Sequence, residues 1–521
     1  MNGIKIMNRR QFIGGLGGFA AMAPFGRGWA LPSDLGSDLV YDYWCTWGVQ
    51  NGLVRERARR NPGATAGEQG ARGARENIDE KLIFGPDGWA DFFPQTRAGM
   101  YMVLDDGWDV AHGVHPNTQL DKFGSLEPAA DRFGSFGDTP EKRLAGINRT
   151  LKDRGWRGAG LWVAAQNFDE RKLEASAKAG IGYWKVDWGS QSGSNAYRRR
   201  ISELKNRIYP ELIVEHMPLS SSVFNDWDAE KGTGSGRLAD EPSADIVERM
   251  SYSDVIRVYD MLGPVETATA LERIRHLSRA AELGGNGTVL NVEDNPVLGA
   301  VLGHAFGVMR YPRADARQSC TVGSVGIDEV NRALAWRRQA SVFGASRECP
   351  TVVSDERIEA SFVFRQGQGW HAGAWGREVR QNAPAVMARG MKLPEVSYLD
   401  SRHPFVFASR HPNGALALGV LAPLSQGEMG TPRAEVRLDV RLERNVPFAV
   451  FGEPESVTLA DADPKARVLA RDLLSAADED ITRDVVRRNG TITLSGGTLA
   501  RIGRQAGSGD PSCPGCLVRL V

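Results

Sequence analysis

Tyr101-Met102-Val103-Leu104-Asp105-Asp106-Gly107-Trp108 runs from a short apolar segment straight into two carboxylates, a glycine and a tryptophan. Four apolar residues followed at once by charge read as a buried strand, and buried strands reject charge unless it is paired or used. Taken alone, the exit has two readings: a turn, because Asp and Gly favour turns and cap helices, or a polar recognition site. A second exit of the same kind, Tyr183-Trp184-Lys185-Val186-Asp187-Trp188-Gly189, favours the site.

Working outward, short apolar runs alternate with longer helical patterns between about Asp38 and Ala340, the mark of a parallel sheet with crossover helices. The expected strands are Val40 to Trp47, Tyr101 to Leu104, Ala159 to Ala164, Gly182 to Val186, Leu212 to Val214, Val255 to Val258, Val289 to Val292 and a weaker one around Ala305 to Met309. Such a series predicts an α/β fold, a (β/α)₈ TIM barrel. Helices are expected over Thr139 to Gly155, Asp169 to Ala179, Ala196 to Ile208, Val265 to Leu283 and Ile327 to Val342. The first connection, Gly48 to Gly99, is long, carries an Arg/Gly/Ala-rich portion from Leu53 to Arg75, and reads as a lid or substrate wall. Beyond Arg347 the pattern turns to alternation, as in Phe405-Val406-Phe407-Ala408, and predicts a C-terminal antiparallel β-sandwich over 350–521 after the catalytic barrel of 38–340.

Composition narrows the partner. The chain has 521 residues, 41% hydrophobic and 25% charged, with 64 basic and 64 acidic residues. That balance leaves no electrostatic footprint for nucleic acid or an anionic membrane and points to a neutral or modestly charged ligand. Asn8-Arg9-Arg10-Gln11-Phe12-Ile13 and the Gly/Ala-rich apolar segment after it, Gly14 to Phe25, resemble a twin-arginine export signal over 1–30, with cleavage after Ala30; the alternative is a basic tail. The expected location is therefore periplasmic or secreted, with no membrane attachment once the signal is removed. Five cysteines are too few to staple a chain of this length, although Cys513-Pro514-Gly515-Cys516 could close a small loop. No ligand spacing for zinc accompanies them, and neither metal nor cofactor is expected.

In a TIM barrel, chemistry gathers at the C-terminal ends of the strands. Those ends carry Trp44 and Trp47, Asp105 and Asp106, Lys185 and Asp187, Glu215, Arg257 and Asp260, then Asn291, Glu293 and Asp294. Lys185 and Asp187 are two apart, so both face the barrel mouth. They form either a structural ion pair or a site in which the lysine binds a hydroxyl and keeps the aspartate ionised as a nucleophile. A second carboxylic acid would then protonate the leaving group. Asn291-Val292-Glu293-Asp294-Asn295-Pro296 either contacts the leaving group or caps the next helix, and His112 and His115 either line the pocket or, as the favoured reading, sit on a surface loop.

Leu104-Asp105-Asp106-Gly107-Trp108 and Trp184-Lys185-Val186-Asp187, with Trp44-Cys45-Thr46-Trp47 upstream and Glu215-His216-Met217-Pro218 downstream, resemble the α-galactosidase (melibiase) clan of retaining glycoside hydrolases. The resemblance covers the barrel and implies a β domain behind it. It makes Asp187 the nucleophile, Lys185 a ligand of a ring hydroxyl, and Asp105 and Asp106 the holders of hydroxyls on the far side of the pyranose. Trp47 or Trp108 would pack on the apolar face of the sugar, and Glu215 would accept from a hydroxyl or support the site. Arg257 would bind sugar, and Asp260 would be the acid/base, with Asp254 ranked behind it because it precedes its strand. The implied activity is an exo-acting α-glycosidase of α-galactosidase type working by double displacement. Gly189, where many members have cysteine, and the long first connection depart from the pattern. They leave a β-L-arabinopyranoside or an α-N-acetylgalactosaminide open as the substrate. A metal-dependent barrel lyase or isomerase, using Asp187, Glu215 and a strand-six acid, is the reading from another enzyme class, and a catalytically silent carbohydrate-binding barrel is the third.

Overall fold

The computed structural model describes residues 40–60, 71–114, 123–218, 238–258, 263–284, 287–313, 324–346, 349–363, 378–424, 433–461, 463–504 and 512–521. The export signal, His115, Asp260 and Cys320 lie outside these residues.

Eight parallel strands follow one another around a single sheet: β1 (Tyr43–Cys45), β2 (Tyr101–Leu104), β3 (Gly158–Val163), β4 (Tyr183–Val186), β5 (Ile213–His216), β6 (Val255–Arg257), β7 (Val289–Asn291) and β8 (Gly307–Val308). β8 pairs with β1, and backbone bonds from Val292 to Ala305 (2.8 Å) and from Ala305 to Leu290 (2.9 Å) join β7 to the β8 side, so the sheet closes. Helices α1 (Trp47–Arg60), α2 (Pro140–Asp153), α3 (Glu170–Ala179), α4 (Asn195–Ile208), α5 (Ala244–Met250), α6 (Glu266–Gly284), α7 (Pro296–Val301) and α8 (Ile327–Arg337) surround it. Local chemistry sets their starts: Thr139 and Asp169 accept from the third residue on, and α2 carries proline in its first turn. Left-handed Gly180 ends α3. The first connection departs from the expected lid at its start, where α1 occupies what the Arg/Gly/Ala composition suggested was loop.

Alternation along the strands sorts the core. Trp44, Met102, Leu104, Leu161, Trp184, Val186, Val214, Ile256 and Leu290 face outward into the layer beneath the helices. Tyr43, Cys45, Tyr101, Val103, Tyr183, Ile213, Val255 and Val289 face inward and form a separate apolar plug that fills the barrel floor. The inward positions above that plug are charged.

The C-terminal region contains an eight-stranded sheet and a five-stranded sheet. Most of their pairings are antiparallel; 386–389 with 405–410, 416–421 with 448–452, and 434–442 with 456–461 pair in parallel. Val406, Ala408, Leu416 and Leu418 share a buried cluster with Val436, Leu438, Val457, Leu459, Ile492 and Leu494 of the smaller sheet, so the two sheets stack face to face. The opposite face of the larger sheet, with Phe405, Phe407, Ala417 and Phe451, merges with the barrel core through Val297, Leu298 and Val301 of α7. Arg332 of α8 crosses the same boundary and pairs with Asp472 at 2.9 Å, both buried. The β region is thus anchored to the barrel by a continuous apolar seam and an enclosed ion pair.

Candidate active site

The charged layer sits at the C-terminal mouth. Lys185 lies between Asp105 (3.0 Å) and Glu293 (3.3 Å), and Arg257 lies between Glu293 (3.3 Å) and Asp187 (2.8 Å), with Glu215 3.8 Å from its Nε. Two cations therefore hold together four carboxylates drawn from β2, β4, β5 and β7. Lys185 stands opposite Glu215 and Glu215 opposite Val255, so Arg257 rises one inward position above Glu215, opposite Asn291.

Asp187 is the member of this group with an open edge, its side chain 14% exposed, whereas those of Asp105, Lys185, Glu215, Arg257 and Glu293 are at most 3%. Burial alone would push the Asp187 carboxyl up, but the Arg257 and Lys185 charges, with hydrogen bonds from Arg257 and Trp162, hold it below the usual carboxylate range. Trp162, inward on β3, donates its indole N–H to Asp187 Oδ2 at 3.1 Å. Glu293 is likewise held low: burial opposes its charge, and Lys185 and Arg257 prevail. Glu215 goes the other way, since burial and the Glu293 charge outweigh Arg257. It sits beneath the mouth, accepting from Tyr183 (2.7 Å), Asn291 (2.6 Å) and Tyr43 (3.2 Å).

The two adjacent aspartates separate. Asp105 faces inward: its Oδ2 accepts from Lys185 and from the Cys45 thiol at 2.9 Å, and its Oδ1 takes the Asp106 N–H at 2.8 Å. Asp106 turns to the other side and pairs with Arg75 at 2.7 Å; burial raises its carboxyl to about 7 despite that arginine. Gly107 has φ +110°, and a Cβ there would stand 2.6 Å from the Arg75 carbonyl oxygen, so only glycine lets the chain pass Arg75 so closely.

Trp108 differs from its expected role. It is fully buried in the layer outside the barrel and donates to the Trp162 carbonyl at 2.9 Å, so it braces Trp162 from behind and offers the mouth no face. Trp47 opens α1, half-buried against the inner plug. Asp254 lies at the entrance of β6, bound to Lys205 (2.9 Å) and the Val214 N–H (3.0 Å), at the end of the barrel away from the mouth. Asp260 falls outside the described residues. His112 is exposed and contacts Glu76 at 3.1 Å. Of the strand-seven cluster, Asn295 caps α7 by accepting from Leu298, while Glu293 enters the charged layer. Cys513 and Cys516 are free thiols.

Trp162 and Cys45 complete the site beyond the sequence-derived set. Their signal is parity: each lies an even number of residues from an inward position on its own strand. Among the described residues, no three His, Cys, Asp or Glu side chains come together as a metal site. Nor is any helix among them long and apolar enough to cross a membrane.

No family model matches the chain. No curated protein matches it either. Among solved structures it is similar to a Bacteroides fragilis protein described as an α-galactosidase/melibiase, at 10% identity and TM-score 0.30, over 66% of this chain and 76% of that one. It is also similar to the α-L-arabinofuranosidase of Thermotoga maritima in its arabinose complex, at 10% identity and TM-score 0.35, over 86% of this chain and 95% of that one.

Proposed function

We propose that this protein is a retaining, exo-acting α-glycosidase of α-galactosidase type that removes terminal sugars from neutral oligo- or polysaccharides by double displacement. The observation that carries the reading is the state of Asp187: a carboxylate at the barrel mouth, kept ionised by Arg257 and Lys185, oriented by Trp162, and open on one edge. An ionised, fixed carboxylate beside a positive charge is what attack on an anomeric carbon needs. Asp187 forms the glycosyl-enzyme bond as the leaving oxygen takes a proton from the acid/base, for which Asp260 is our candidate. Water, deprotonated by the same group, then releases the sugar with net retention. Arg257 and Lys185 balance the charge that Asp187 loses on bonding and regains on hydrolysis. Asp105, held by Lys185 and Cys45, is our candidate acceptor for a sugar hydroxyl, and Trp47 our candidate for the apolar wall.

A panel of aryl α-glycosides tests the activity and the sugar together. Hydrolysis is expected, most strongly of the α-galactoside, with turnover of a β-L-arabinopyranoside or α-N-acetylgalactosaminide in its place redefining the pocket sugar. Asp187→Ala should abolish turnover, and azide should partly restore it by occupying the vacated space. Undiminished activity in that variant would remove Asp187 from the chemistry and the mechanism with it. Export is part of the proposal: Arg9→Lys with Arg10→Lys should retain the protein in the cytoplasm, and unchanged export of that variant would refute the twin-arginine route.

A further inference from the structure

We propose that the loop leaving β4, with Trp188 as its platform, is the subsite for the leaving-group sugar of a neutral oligosaccharide; this rests on the glycosidase reading of Asp187. Trp188 follows Asp187 directly and is 45% exposed, the one aromatic among the large apolar side chains that stand open to solvent in the described residues. A tryptophan left this open forfeits the burial that ordinarily repays so large an apolar ring.

The backbone beneath it is tightly held. Asp187 N–H donates to the Val163 carbonyl at 3.0 Å, Ala165 N–H to the Trp188 carbonyl at 2.9 Å, and Gln191 N–H to the Ala165 carbonyl at 2.8 Å. A Cβ at Gly189 would stand 2.5 Å from the Ala165 carbonyl oxygen, so the glycine lets the loop lie flat on the β3 exit. Trp188 is thus carried on a fixed backbone, one residue beyond the reacting carboxylate.

Chemistry around the ring selects the ligand. From Trp188 to Asn195 the sequence is Trp-Gly-Ser-Gln-Ser-Gly-Ser-Asn, eight residues without a charge in a chain that is 25% charged. Ser190 and Gln191, two and three residues past Trp188, are exposed, and the Gln166 Oε1 supports Ser190 N–H at 3.4 Å. An aromatic plate bordered by hydroxyl and carboxamide groups matches a pyranose, which offers an apolar face and a rim of neutral donors and acceptors. Arg257, Lys185 and Trp162 approach Asp187 from within the barrel, so its open edge is left for the substrate, and Trp188 is carried by the loop that leaves this strand end.

The test compares two substrates with the same glycosyl group: the α-galactosyl fluoride, which has no leaving sugar, and an α-galactosyl disaccharide. In Trp188→Ala, the ratio of kcat/KM for the disaccharide to that for the fluoride should fall about tenfold or more. Trp188→Phe, which keeps a plate, should recover most of the ratio. An unchanged ratio in Trp188→Ala overturns the subsite while leaving the glycosidase reading intact. A wild-type protein that cleaves neither substrate overturns both. Equal loss on both substrates places Trp188 in support of Asp187 and refutes the assignment to the leaving sugar.

Discussion

Replacing Trp162 by phenylalanine isolates one interaction that the reaction should feel. The indole N–H is one of the two direct contacts that favour the ionised form of Asp187, the other being Arg257 at 2.8 Å. A phenyl ring keeps most of the packing and removes only the donor; the Trp162 carbonyl that receives Trp108 is main chain and survives the change. Hydrogen bonds to charged groups contribute about 1.5–3 kcal/mol, and one pKa unit corresponds to about 1.4 kcal/mol. The Asp187 carboxyl should therefore rise by roughly one to two units in Trp162→Phe. The sign follows from the chemistry. Asp187 must be ionised to attack, its carboxyl in the native protein lies below the ordinary value, and losing a donor moves it upward. The acid limb of kcat/KM, which reports the free enzyme, should shift toward neutral pH by that amount while the alkaline limb stays in place. The assay is a pH series on the best aryl glycoside of the panel. A partly unfolded preparation lowers the amplitude of the profile and leaves the limb position unchanged, so folding losses do not imitate the effect. An acid limb in the same place as wild type would refute the claim that Trp162 holds Asp187 ionised.

Other outcomes follow from the same geometry. Lys185→Met leaves Asp105 and Glu293 enclosed without their shared cation and should cost about 3–5 kcal/mol in urea unfolding at pH 7; the further change Asp105→Asn should recover part of that loss, and strict additivity would contradict the pairing. Arg332→Ala leaves Asp472 buried and unpaired at the domain seam, with an expected loss of about 3–5 kcal/mol and a fall in Tm that Asp472→Asn partly rescues. Because burial raises the Asp106 carboxyl to about 7, the native state holds that proton where the unfolded chain has lost it, so this group's contribution to stability declines as pH rises from the ordinary carboxylate range toward 7. Asp106→Asn should flatten that segment of the stability-against-pH curve, and an unaltered slope would contradict the assignment.

The fold was largely legible because a parallel barrel strand is buried on both faces and reads as an uninterrupted apolar run. Tyr101–Leu104 matches its expected range, and the other barrel strands fall within a residue or two of theirs at most ends. β1 is the informative departure: Val40 to Trp47 is apolar except at Asp42 and Thr46, yet only Tyr43–Cys45 forms ladder, because the chain turns at Thr46 and Trp47 opens α1. Apolar character marked that segment as buried and could not mark where the backbone ladder stops. The α1 helix itself is hidden by composition, since its second half, Arg-Glu-Arg-Ala-Arg-Arg, has no apolar stripe to betray a helical period.

The candidate site was legible where it carried charge and opaque where it did not. Reading the charged ends of strands led to Asp105, Lys185, Asp187, Glu215 and Arg257, all of which the fold brings into one layer. The same rule passed over strand three, whose exit Ala164-Ala165-Gln166 is neutral, and so missed Trp162 two residues earlier. It also treated Asp105 and Asp106 as a pair, although adjacent residues on a strand point to opposite sides: Lys185 claims one and Arg75 the other. Trp108 lies three residues past Asp105, in the turn beyond β2, where strand alternation no longer applies and the ring ends up buried behind the sheet. Alternation counted along each strand separates Asp105 from Asp106 and sets Trp162 on the face of Gly158 and Gly160, once one inward position of that strand is known. Charge at a strand exit says that a barrel has chemistry there, and phase along the strand says which side chains can reach it.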